Sequence, residues 1–287
     1  MDRRQRLIEI FEDTQQFYAQ NTLLANAVQE AKRATKLYEA DEYPEISRPA
    51  NLEGAIAVTK YKTFEAVKGI QTEHPSWKIA ALNFASAINP GGGVKTGSSA
   101  QEESLCRCST LYPTLTQGWL WNQYYQKNRD AHNNLHTDAC IYSPGIVICK
   151  TDDAFPARLA EKDWVTVDVI SCAAPNLRRR PGNRHNPEYG EAAKISQHDL
   201  YRLHLKRAVH IMHIAAARNA DALVLGAFGC GAFANDPNVV AKAYREAADG
   251  YMRYFRLIEF AVYCRADETE NYDALKRELS RLSSACI

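Results

Sequence analysis

At 287 residues, 46% hydrophobic and 24% charged, the chain has the make-up of a water-soluble globular protein with room for one large core. Thirty-five Lys and Arg against 34 Asp and Glu leave a formal net charge of +1, which excludes a global field toward nucleic acid or membrane, so any anion site must be local. The first residues, MDRRQRLIEIFEDTQQFY, contain no signal-peptide core. No segment reaches the roughly 18 apolar residues of a membrane span, and the eight cysteines include no paired C-x-x-C. The expectation is a cytoplasmic protein with incidental thiols, no membrane partner and no metal.

Residues 2 to about 40 place Leu7, Ile10, Phe11, Leu23, Leu24 and Ala27 at helical spacing, up to a break at YPEISRP, which predicts a helical N-terminal extension. Six short runs rich in β-branched or small residues follow and predict strands: 54–58, 78–85, 145–149, 164–172, 222–228 and 257–264. Helical patterns lie between most of them, clearest at 197–219 and 237–254. Strands alternating with helices imply an α/β sandwich with a mixed, largely parallel sheet, and no linker or repeat divides the chain, so residues 1–287 read as one domain.

Two predicted strands run straight into glycine loops. KIAALNFASAINPGGG leads to Gly91, Gly92 and Gly93, and ALVLGAFGCGAFANDP leads to Gly226, Gly229 and Gly231. Both loops belong at the carboxyl edge of the sheet, where open α/β folds bind ligands, and glycines let backbone N–H groups close around an anion. Asn235 or Asp236 can cap a helix with Pro237 in its first turn, aiming the positive end of a helix dipole into the same crevice. A phosphate or diphosphate is the natural guest. Neither the dinucleotide G-x-G-x-x-G nor a P-loop is present.

From Gln101 the pattern turns helical, with Leu105, Cys108, Leu111 and Tyr112 on one face, so Glu102 and Glu103 fall in a first turn. Acidic residues there can simply complement the helix dipole. Beside a diphosphate site and beside each other, however, they repel, which raises a carboxyl from about 4.3 toward the range of a general acid.

The spacing GGG-x7-QEE, with LNFASAINP before it, LCRCSTLY after it, and the later YSPG, AAPN and LGAFGCGAFAND, resembles the bacterial-type poly(ADP-ribose) glycohydrolases over residues 50 to 265. The resemblance implies a three-layer α/β/α macrodomain-like fold, with residues 1–50 as that family's helical extension. It further implies an ADP-ribosyl glycohydrolase without cofactor that acts as a monomer on ADP-ribosylated protein or nucleic acid. Glu103 would be the catalytic acid, with Glu102 and Gln101 positioning it or touching the adjacent ribose. Gly91, Gly92 and Gly93 would line the diphosphate and proximal ribose. The loop Gly229, Cys230, Gly231, Ala232 and Phe233 would hold the diphosphate from the other side, with Phe233 against a ribose. Asn89 and Asn235 would contact a ribose or anchor their loops. One departure is that AVTKYKTFEAV lacks the acidic residue that relatives carry for the adenine amine. A noncatalytic ADP-ribose reader and another nucleotide-handling enzyme are the competing readings.

Three further features carry less. Arg178, Arg179, Arg180 and Arg184 follow a predicted strand and read either as a solvated loop or as a contact to an anionic target. His204, His210 and His213, spaced by six and three, read as helix-surface or core-edge residues. The aromatics of GWLWNQYYQ read as packing.

Overall fold

One asparagine splits the N-terminal helical section. α1 (Arg3–Gln20) ends where Asn21 turns extended, and the Asn21 carboxamide accepts from the amides of Leu23 and Leu24 at 3.0 and 3.1 Å, capping α2 (Thr22–Ala34). The computed structural model describes residues 2–181 and 191–283. After α2 the expected helix gives way to β1 (Lys36–Tyr38), because pairing along a sheet edge overrides the local helical pattern.

The chain continues through β2 (Ala55–Thr59), α3 (Thr63–Glu73), β3 (Ile79–Phe84) and α4 (Gln101–Cys108). The short helices α5 (Tyr112–Leu115) and α6 (Gly118–Leu120), a π-helical turn over Trp121–Tyr125, and α7 (Gln126–Asp130) come next. The remaining elements are β4 (Cys140–Ile148), β5 (Val165–Cys172), α8 (Gln197–Ala217), β6 (Ala222–Leu225), α9 (Pro237–Tyr251), β7 (Leu257–Ala261) and α10 (Glu270–Ser283).

The seven strands lie in the order β1-β4-β5-β3-β6-β7-β2. Strands β5 through β2 are parallel, and β4 and β1 complete one side antiparallel. β4 begins five residues before the apolar run that announces it. Pro144 has no N–H to give the ladder and Gly145 is left-handed (φ +65°), so the register shifts between Ser143 and Ile146 and the strand continues through a bulge. Helices cover both faces. Side chains of α8, α9 and α10, such as Ile211, Tyr244 and Leu279, pack on one, and those of α1 to α5, such as Phe11, Val67 and Leu105, pack on the other. The result is a three-layer α/β/α sandwich with a mixed, largely parallel sheet.

The thiols fit the expectation of incidental cysteines: Cys106, Cys108, Cys140, Cys149 and Cys172 are buried and unpaired, and Cys286 lies outside the described residues. Of the α8 histidines expected at the helix surface or core edge, His213 is at the core edge, whereas His204 and His210 correct the expectation. His204 and His210 are fully buried, and His213 bonds the Tyr251 hydroxyl and the Pro44 carbonyl, because each ring spans a backbone or side-chain group that would otherwise be stranded in the interior.

α1 is stitched onto the body by three buried contacts. Phe11 meets Tyr112 edge-on with ring centres 4.9 Å apart, the Thr14 hydroxyl donates to the Arg107 carbonyl at 2.6 Å, and the buried Lys150 ammonium reaches the Ile10 carbonyl at 2.9 Å and Asp13 at 2.7 Å. Phe11→Ala should cost about 3–5 kcal/mol in urea unfolding. A loss under about 1 kcal/mol would show that α1 is an appendage rather than part of the core.

Candidate active site

β3 delivers the chain to the centre of the sheet's carboxyl edge, and the turn that follows is shaped by what lies beneath it. Gly91 and Gly92 take left-handed φ values of +70° and +59°. A Cβ on Gly91 would stand 2.7 Å from the Tyr112 ring, and one on Gly92 would stand 2.6 Å from the Glu103 carboxylate and 3.1 Å from that of Glu102. The glycines are therefore required twice, by conformation and by the close approach of the two acids.

Those acids are not a solvated first turn. On α4 only Gln101 and Ser104 escape full burial, and Glu102 and Glu103 are 3% and 7% exposed. They point different ways. One Glu102 oxygen accepts from the Ser86 amide at 2.8 Å and the other from the Asn83 carboxamide at 3.4 Å, so Glu102 is tied to the end of β3. Glu103 accepts from the Gly93 amide at 2.8 Å through Oε1, and its Oε2 has no hydrogen-bond partner among the described residues. Gln101 braces both neighbours: its carbonyl accepts from the Phe84 amide at 2.8 Å, while its amide group donates to the Leu82 carbonyl and the Thr63 hydroxyl. Burial, and after it the charge of Glu103, push the Glu102 carboxyl well above the usual carboxylate range. The helix is shorter than its apolar pattern suggests. It stops at Cys108, where Ser109 bridges to Ile148 and two amides beyond β4 take the Cys108 carbonyl.

The second glycine loop leaves β6, the strand next to β3. Gly229 is left-handed (φ +80°), with a Cβ position 2.7 Å from both Ala174 and the Asn235 amide nitrogen, whereas a Cβ on Gly231 would meet nothing. Asn235 is buried and fully engaged. Its Nδ2 donates to the carbonyls of Pro175, Gly229 and Phe233, and its Oδ1 pairs with His204 Nε2 at 2.8 Å, a geometry that fits loop anchoring of its two expected roles. Gly231 and Ala232 are exposed, and Phe233 is half-buried beside His136 and under the Arg178 guanidinium at 5.7 Å. Burial pushes the Cys230 thiol up to about 12, so it is no thiolate nucleophile. Of the two expected caps, Asp236 serves, its carboxylate accepting from the Asn238 amide at 2.9 Å ahead of α9. Arg184 lies outside the described residues.

Four supporting residues escaped the sequence reading. Asn83 and Ser86 hold Glu102, His204 holds Asn235, and Arg129 holds Asn89, donating to its Oδ1 at 2.5 Å and to the Ile88 carbonyl at 2.9 Å. Asn83 alone had a readable signal, a carboxamide inside an otherwise apolar strand. Among the described residues no three His, Cys, Asp or Glu side chains cluster as metal ligands would.

A buried glutamate pair beneath the glycine turn after β3, with a second glycine loop after the neighbouring strand β6 at a helix N-terminus, lies on the carboxyl edge of a mixed sheet in a macrodomain-like α/β/α fold. The family model "Microbial-type PARG, catalytic domain" matches residues 5–151. Poly(ADP-ribose) glycohydrolase from Deinococcus radiodurans, solved in complex with ADP-ribose, is 33% identical with a TM-score of 0.74, covering 89% of this chain and 97% of that one. The enzyme from Thermomonospora curvata is 29% identical with a TM-score of 0.78, over 96% of this chain and 100% of that one. Bound to the inhibitor ADP-HPD it is 30% identical with a TM-score of 0.77, over 96% and 99%. No curated protein sequence matches significantly. The chain belongs to the microbial-type poly(ADP-ribose) glycohydrolase family.

Two outcomes test this geometry. Gly231→Val has room for its side chain and should block ligand in the crevice with little change in Tm, whereas Gly229→Val forces strain and collisions and should lower Tm as well; equal Tm for both would contradict the packing. A carboxyl whose folded pKa is raised contributes stability that is complete below its unfolded value near about 4.3 and is lost as pH rises through the folded value. Glu102→Gln, neutral throughout, should therefore flatten the decline of Tm with rising pH, and parallel curves for parent and variant would mean that Glu102 carries its charge in the fold.

Proposed function

We propose that the protein hydrolyses the glycosidic bond at the ribose C1″ of ADP-ribosylated substrates, with Glu103 as general acid and base. The observation that carries this is the unequal engagement of the pair: Glu102 is held through both oxygens, while Glu103 accepts from the Gly93 amide through Oε1, the oxygen that lies against Gly92, and its Oε2 has no hydrogen-bond partner among the described residues. A catalytic carboxyl needs a free oxygen within reach of the reacting atom and a neighbour that fixes its orientation.

The ADP-ribose diphosphate sits against the amides of the 229–233 loop and the N-terminus of α9, an anion site of 15-residue helix and left-handed glycine together. The Gly91–Gly93 turn lies over the ribose next to the bond to be cut. As the C1″–oxygen bond breaks, Glu103 delivers its proton to the leaving oxygen and positive charge grows on the ribose ring. The substrate's own diphosphate offsets that charge. Water then adds to C1″ and gives its proton back to Glu103, releasing ADP-ribose and a free hydroxyl. The raised Glu102 carboxyl, pushed up by burial and by the charge of Glu103, works against a second negative charge beside the diphosphate, and the scheme uses one working carboxyl and no metal. The whole chain acts as one catalytic domain, since α1 holds α4 through Thr14 and the Arg107 carbonyl and the amides of Cys149 and Lys150 hold the Cys108 carbonyl at its end. Five buried free thiols fit a reducing, cytoplasmic setting.

Glu103→Gln keeps the side chain's shape and its bond from Gly93 but has no proton to give. Cleavage of poly(ADP-ribose) should fall by at least roughly 10²-fold while calorimetric affinity for ADP-ribose persists. Glu102→Gln should cost less. Parent-like turnover by Glu103→Gln would remove Glu103 as the acid, and a parent protein that binds ADP-ribose but cleaves no ADP-ribosylated substrate would leave it as a binder.

A further inference from the structure

Glu103 is oriented by one bond. Its only hydrogen-bond partner among the described residues is the Gly93 amide, which donates to Oε1 at 2.8 Å. A carboxyl held at a single point turns with that point, so the place of the Gly93 N–H decides where Oε2 is aimed. That place is set from outside the sheet.

Gly93 belongs to a closed loop. Its carbonyl accepts from the Thr96 amide at 3.0 Å, from the Thr96 hydroxyl at 3.0 Å and from the Ser98 amide at 3.1 Å, which makes residues 93–98 one hydrogen-bonded unit around a single 3-10 turn. The far side of this unit rests on the first turn of α1. Arg4 Nε donates to the Thr96 carbonyl at 2.5 Å. Beside that bond the chain turns left-handed at the buried Gly97 (φ +73°), where a Cβ would stand 2.4 Å from the Arg4 carbonyl oxygen, so the two backbones meet with no room for a side chain. A third hold comes from α4. Arg107, one helical turn beyond Glu103, donates from Nη1 to the Ser98 carbonyl at 2.6 Å, and its own carbonyl takes the Thr14 hydroxyl of α1.

The docking of α1 does not depend on the Arg4 bond. Phe11, Thr14 and Lys150 secure that helix further along in the interior, whereas Arg4 is exposed. What Arg4 adds is a fixed post for the loop that carries the Gly93 amide. Resting on the reading of Glu103 as the acid, we infer that Arg4 and Gly97 are positioning residues for the reaction: the first turn of α1 latches the 93–98 loop, and the loop holds the amide that aims Glu103. The helical N-terminal section then belongs to the catalytic apparatus, acting through Gly93.

Arg4→Ala, Arg4→Lys and Gly97→Ala in the whole chain test this by steady-state cleavage of poly(ADP-ribose), calorimetric binding of ADP-ribose and thermal unfolding. Arg4→Ala should lower kcat by about fivefold with KM, ADP-ribose affinity and Tm close to the parent's, and Arg4→Lys, which can still donate to the Thr96 carbonyl, should recover most of the loss. Gly97→Ala, strained and pressed against Arg4, should lower kcat by at least about tenfold with a lower Tm and nearly unchanged ADP-ribose affinity. Parental kcat in Arg4→Ala overturns the latch, as does a loss that Arg4→Lys shares in full or one carried by KM and ADP-ribose affinity. If Gly97→Ala does not fold, the Arg4 pair decides alone. Glu103→Gln separates the latch from the reading beneath it: an inactive Glu103→Gln beside a fully active Arg4→Ala removes the latch only, whereas parental turnover by Glu103→Gln removes the acid and the latch together.

Discussion

Burying two adjacent carboxylates is the constraint around which this molecule is organised. Each would be costly to desolvate alone, and together they repel. The fold meets the cost with backbone N–H groups from Ser86 and Gly93, with the Asn83 carboxamide, and with a raised Glu102 carboxyl. At Gly92 the backbone passes so close to both carboxylates that no side chain fits, which is why flexible residues precede like charges in the sequence. The glycines are less a hinge than a lid of bare backbone.

Sheet order makes the arrangement two-sided. β3 lies between β5 and β6, so the loops that leave all three converge on one crevice. Asn235 gathers them, bonding Pro175 after β5 and Gly229 after β6, with His204 of α8 behind it. The 229–233 loop is thus held from its own interior, leaving Gly231 and Ala232 open to solvent.

How much of this was legible follows from which forces act locally. The parallel strands and the two long helices show in hydrophobic period alone, and the first glycine turn and the QEE run sit together in the sequence, so the motif half of the site could be read directly. β1 and the first half of β4 could not. Their strand character comes from pairing with each other across about a hundred residues, and Pro144 disguises β4 as a loop. The braces of the site were hidden for a related reason: Arg129, His204 and Lys150 are ordinary members of helical or apolar stretches until the fold sets them against Asn89, Asn235 and α1. Helix boundaries misled where tertiary pairing cut in, as at Ser109, and where a local side-chain cap did, as at Asn21.

The pairing of β3 with β6, Ile79 through Ala81 against Ala222 through Val224, has a consequence for how the protein comes into being. The acid-bearing turn is made early in synthesis, and its anion-binding counterpart emerges from the ribosome some 140 residues later. A nascent or truncated chain that has folded its first half holds a glutamate pair with nothing to present to it. The two loops share one edge only once β6 has paired with β3, so a chain cut between the two strands carries half of the crevice on each piece.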